Sequence, residues 1–108
     1  MANNYKFTGV ALATTSETAL LTAAADTTVV IKSIRVTNNT SNTPTISLDL
    51  SDDSASTEYT ILKTQTLAAN TAVELLSVPL VLEESDALKA TMSSTDSTHI
   101  GISYLVIS

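Results

Sequence analysis

His99 is the one histidine of the chain, and Asp96 and Ser97 stand just before it. An imidazole, a carboxylate and a hydroxyl are the parts of a nucleophilic triad, in which the base takes a proton from the attacking oxygen and the acid orients the ring. Here they are neighbours at the junction of a loop and a strand, and sequence adjacency does not build that geometry. The reading is a solvated histidine at a strand start. A second cluster is Asp49, Asp52 and Asp53. A calcium loop needs roughly six to eight oxygens, which Asp-rich loops can supply. This spacing matches no EF-hand and lacks its turn glycine, so a solvated acidic turn is expected, as it is for Glu83, Glu84 and Asp86. Glycosidase carboxylates need sugar subsites, normally lined by aromatic rings. Three Tyr, one Phe and no Trp offer few of them. No Gly-rich phosphate loop, G-x-S-x-G elbow or H-E-x-x-H is present. Asn38-Asn39-Thr40 and Asn39-Thr40-Ser41 match the glycosylation sequon, an incidental match without signs of secretion. No catalytic, cofactor-binding or metal-ligating residue is assigned, no cofactor is expected, and the chain is read as not an enzyme.

Composition narrows the classes further. The formal net charge is -6, and Lys6, Lys32, Arg35, Lys63 and Lys89 form no basic stripe. Phosphate neutralisation is beyond such a chain, so neither nucleic acid nor an anionic membrane is an expected partner. The absence of cysteine removes disulfides and the usual zinc-finger ligands. The first residues, MANNYKFTGVALATT, lack the basic and long apolar regions of a signal peptide, and no apolar run reaches the roughly 18 residues of a membrane span. Synthesis in the cytoplasm, without export by an obvious signal, is the expectation. A chain of 108 residues fits one domain that buries roughly 65% of its unfolded surface.

The elements that carry these residues read as strands. Ile46, Leu48 and Leu50 alternate with Ser47, Asp49 and Ser51, the period of a strand with one wet face. Before it, Val29–Asn38 is apolar but out of phase: Val29 and Ile31 point one way, Ile34 and Val36 the other. Either a bulge near Lys32–Ser33 shifts the alternation, or both faces are buried with Lys32 reaching to solvent. Further strands are expected over Tyr5–Ala13, Thr18–Ala25, Glu58–Thr66, Ala72–Val78, Leu80–Leu82, Ala87–Met92 and Thr98–Ile107. Tyr59 and Ile61 share one face, and Ile100, Ile102, Tyr104 and Val106 point inward. Ser and Thr make up 33 residues, while Gly and Pro number two each, so Asn, Asp and Ser must build the turns. Short strands with turn signals at every 8–12 residues or so predict an all-β, single-domain antiparallel β-sandwich of about eight strands, jelly-roll or immunoglobulin-like. Residues 1–4 form a polar arm, and residues 5–108 the sandwich.

Five phrases carry a resemblance: IKSIRVTN, TISLDL, LAANTAVELL, LVLEESDALKAT and the closing GISYLVIS. In this order they resemble the small virion proteins of tailed bacteriophages, especially those of marine and cyanobacterial hosts. The likeness runs from Ile31 to the end of the chain. It lies in strand and turn residues and not in a catalytic signature, and the scarcity of turn glycine departs from the pattern. The resemblance implies a virion structural protein: most simply capsid decoration (cement) on the outer head, otherwise a neck or tail accessory component. Its partners would be the major capsid protein or neck and tail proteins, and further copies of itself in a homo-oligomer. Net negative charge suits the outside of a particle better than its DNA-filled lumen. The loops Asn39–Pro44 and Ser93–Ser97 are candidate contact surfaces. A host-surface or glycan-binding module is the other reading, with Tyr5, Tyr59 or Tyr104 as exposed aromatics.

Overall fold

The computed structural model describes residues 3–108. Nine strands account for the regular structure: β1 (Asn3–Leu12), β2 (Thr18–Thr22), β3 (Thr28–Asn38), β4 (Thr45–Asp52), β5 (Thr57–Thr66), β6 (Ala72–Glu74), β7 (Leu80–Leu82), β8 (Ala87–Met92) and β9 (Thr98–Ile107). Met1 and Ala2 of the expected arm lie outside the described residues. Asn3 and Asn4 already belong to β1, paired with Ile107 and Val106. The strand expected over Ala72–Val78 stops at Glu74, and that over Thr18–Ala25 stops at Thr22.

One sheet runs β1-β9-β3-β6, with β7 also on β3, and the other runs β2-β8-β4-β5. All pairs are antiparallel. β6 pairs with Arg35–Thr37 and β7 with Val29–Ile31. They are therefore two halves of one strand position, interrupted where Pro79 cannot donate to a ladder. Counted so, the sheets hold eight strand positions in the order of a jelly roll. The immunoglobulin alternative keeps the first two strands side by side in one sheet. Here β1 and β2 lie in different sheets.

The bulge resolves the phase problem of β3. Ile31 pairs with Tyr104 and Ser33 with Ser103, so Lys32 is the extra residue. Val29, Ile31, Ile34 and Val36 then all face the core, and all are buried. Across from them lie Ile46, Leu48 and Leu50 of β4 and Leu88, Ala90 and Met92 of β8. The buried core is wholly aliphatic apart from methionine. Such side chains interdigitate between two sheets at normal spacing. Ile100 and Ile102 are buried, with Tyr104 and Val106 packed on the rim, as their alternation predicts.

Turns without glycine come at a backbone cost. Asp26, Ser56, Asn70 and Ser85 adopt positive φ at turn positions, and no glycine does. Thr64 also has φ of 47°. It lies in β5, whose ladder with β4 shifts register on either side of Leu48.

Candidate functional site

The outer face of the β1–β9–β3 sheet carries the most chemically mixed surface. Register places its side chains in rows. Ala11 lies beside His99, and His99 beside Thr37. Gly9 lies beside Gly101, Gly101 beside Arg35, and Arg35 beside Glu74. Phe7 lies beside Ser103, and Ser103 beside Ser33. Tyr5 lies beside Leu105, Leu105 beside Val30, and Val30 beside Val81. The chain's two glycines are thus cross-strand partners. The Phe7 ring lies over them: a Cβ on Gly101 would come 3.0 Å from ring carbon Cε1. Beyond the ring opens a shallow groove of about 550 Å³, floored by Gly9 and Gly101 and edged by Arg35 and His99.

Glu74 lies on β6 beside Arg35, just outside the groove lining. It accepts from the Ser33 hydroxyl, from the Ile34 N–H at 2.8 Å and from the Leu76 N–H at 3.2 Å. Partial burial pushes its carboxyl up, but these donors and the nearby Arg35 outweigh it and hold the carboxyl below its ordinary value. One carboxylate thereby ties the residues just after the β3 bulge to the chain leaving β6. Arg35 and His99 are open to solvent at the groove edge. The groove supplies a phenyl ring, a guanidinium, an imidazole and hydroxyls.

The residues singled out by sequence fall elsewhere or apart. His99 meets neither Asp96 nor Ser97 in a triad. Asp96 takes the Asn42 carboxamide at 2.8 Å and the Ser94 hydroxyl at 2.5 Å, which hold its carboxyl below the usual range. Asp49 and Asp52 separate. Asp49 joins Glu17 and Glu58 on the outer face of the other sheet, with carboxylate oxygens within 4.8 Å of one another. The Lys89 ammonium lies 3.8 Å from Glu17 and 3.6 Å from Glu58. A hydrogen bond with Glu58, then burial, raises the Glu17 carboxyl despite Lys89. Asp52 joins Glu83 and Asp86 at one end of the sandwich. Asp86 is buried, and its oxygens accept from the N–H groups of Asp53 and Glu83, each at 3.0 Å. It pins two turns together and is not a solvated acid, which corrects that expectation.

The two loops proposed as contact surfaces do meet. Asn39 donates its N–H to Ser97 O at 3.1 Å, alongside the Asn42–Asp96 bond. Asn38, in the first sequon, is buried, and its carboxamide donates to the carbonyls of Asn42, Leu67 and Ala68. That amide is a structural clasp closed to a glycan, whereas Asn39 is exposed. The tyrosines disperse: Tyr5 is 79% exposed beside Phe7, Tyr59 lies on β5 in the other sheet, and Tyr104 turns inward.

No family model matches the chain, and no curated protein does. Among solved structures the chain is similar to the CBM22-1 and GH10 modules of endo-1,4-beta-D-xylanase 10B from Clostridium thermocellum, complexed with xylohexaose, at 18% identity and a TM-score of 0.47. The match covers 82% of this chain and 18% of that one, so this chain spans less than a fifth of its length. A likeness this distant carries nothing about ligand or activity.

Sequence reasoning passed over Phe7, Gly9, Gly101 and Arg35. The signal was there in the glycines: two in a whole chain, each inside a strand, mark close approach of another group.

Proposed function

We propose that this is a tailed-bacteriophage virion structural protein that decorates the outside of the capsid, bound through the outer face of the β1–β9–β3 sheet. The observation that carries the reading is the uneven surface. That sheet exposes Tyr5, Phe7 and Val81 beside Lys32, Arg35 and His99. Asp52, Asp53, Glu83, Glu84 and Asp86 gather at the turns of one end. Exposed aromatic rings beside an arginine are what interfaces favour, and acidic turns keep the remaining surface soluble. The wide, shallow groove and the scattered ionisable groups support a non-enzymatic role. The resemblance of its strand phrases to phage virion proteins supplies the particle.

Purified particles test the reading. Gel densitometry should find the chain at a copy number on the scale of the capsid lattice, and cryo-electron microscopy should find it on the outer shell. A copy number fit only for one ring would move it to the neck or tail. Absence from particles overturns the reading. Host-surface or glycan binding is a second reading, favoured by the Phe7 ring open to solvent above a groove with Arg35 at its edge. A glycan array probed with the wild-type chain and with Phe7→Ala tests it: binding lost on substitution supports it, absent binding by both excludes it, and equal binding moves the glycan site away from Phe7.

A further inference from the structure

A sandwich has four sheet edges, and each leaves a row of N–H and C=O groups unpaired unless something blunts it. Three are blunted here. The β6/β7 edge is interrupted and carries Pro79. β2 has five residues and a register shift between Ala19 and Leu21. β5 is irregular against β4 and kinked at Thr64. The fourth edge, β1, has none of these devices. Its ten residues pair with β9 in unbroken register from Asn3 to Leu12. It contains no proline and one charge, Lys6, although the chain holds eleven carboxyl groups. It also displays Tyr5 at 79% and Phe7 at 69% exposure. A long, regularly paired edge with a single charge and exposed apolar side chains is the form to which another strand adds.

We propose that the strand added is β1 of a second copy, antiparallel, about a two-fold axis through Phe7. Pairing a strand with itself gives a closed, isologous interface. With Phe7 on the axis, the two Phe7 residues pair across the seam, each ring lying back over its own Gly101, and Tyr5 lies beside Gly9 of the second copy. A large residue then faces the smallest one on the same face of the sheet. Lys6 lies beside Thr8 of the second copy, so no like charges meet. Centring the axis on Lys6 would set two ammonium groups side by side, which costs free energy. The paired sheets become one continuous sheet, and the two Phe7 grooves become one surface. This inference rests on the edges and not on the capsid reading.

The native chain has no cysteine, so one substitution reports the register cleanly. Light scattering on the full chain should give twice the 11.3 kDa chain mass. Phe7→Lys should return the single-chain mass with an unchanged circular dichroism spectrum. Phe7→Cys should form a covalent dimer on mild oxidation, because facing strand residues lie within disulfide reach. Thr8→Cys and Ala11→Cys should not. A monomeric wild-type chain overturns the proposal, including one whose β1 is taken up only by a different virion protein. So does a dimer in which Phe7→Cys fails to cross-link.

Discussion

Single polar side chains in this protein act mostly as clasps for backbone. Asn38 is the clearest. Its amide nitrogen meets three carbonyls, and its oxygen accepts from Thr40 N–H and hydroxyl at 3.0 and 2.8 Å. Asn38→Asp keeps the shape, removes the donors and aims a carboxylate at carbonyl oxygens. It should cost about 2–4 kcal/mol in urea denaturation, more than Asn38→Ala, since a buried unmet acceptor carries its full desolvation penalty. Acid sensitivity belongs to this scale too. The carboxyls of Glu74 and Asp96 lie below their ordinary values of 4.5 and 3.8. Their contribution is therefore complete above those values and is lost as pH falls through the lower, folded ones. Glu17 acts oppositely, its raised carboxyl favouring the fold below 4.5 and losing that contribution as pH rises through its folded value. Stability measured from pH 6 down to about pH 2 should decline, and Glu74→Gln should flatten that decline.

At the scale of elements, alternation and its interruptions govern the outcome. β4 keeps strict period, with Leu48 fully buried and Ser47 and Asp49 toward solvent. Leu48→Ala should cost about 2–5 kcal/mol, while Ile61→Ala, on the open face of β5, should stay near 0.5 kcal/mol. β3 keeps its period only because Lys32 bulges. Each strained turn offers the reverse test. Ser85 holds φ of 68° between β7 and β8. Its own N–H donates to Ala23 O at 3.0 Å, a bond that glycine retains. Ser85→Gly should raise stability by about 0.5–1 kcal/mol, because glycine adopts that conformation without the Cβ clash. Thermal unfolding midpoints of the three variants would check these expectations.

Over the whole molecule, the two sheets divide the work of burial equally but not that of contact. One outer face gathers the exposed rings of Tyr5 and Phe7 near Arg35, which has Glu74 beside it. The other carries Glu17 and Glu58 salt-linked to Lys89, with Asp49 beside them. On the capsid reading, the paired substitution Tyr5→Ser with Phe7→Ser should abolish binding to particles lacking the protein, whereas Glu83→Gln with Glu84→Gln should leave it intact. Co-sedimentation with such particles measures both. Retained binding by the first variant would move the contact away from this sheet.

The strands, the wet and dry faces of β4, β8 and β9, and the turns built from Asp, Asn and Ser were legible in the chain itself, because side-chain period and turn chemistry are local. Even the conflict in β3 could be seen, though not which of two resolutions held. Only tertiary structure decided what is non-local. It brought Gly9 opposite Gly101 under Phe7, made buried clasps of Asn38 and Asp86, and drew Asp49 and Asp52 to different places. It also left β1 as the one unguarded edge. Those outcomes depend on strand order and register, which join residues as distant in sequence as Gly9 and Gly101, and no local pattern encodes such pairings.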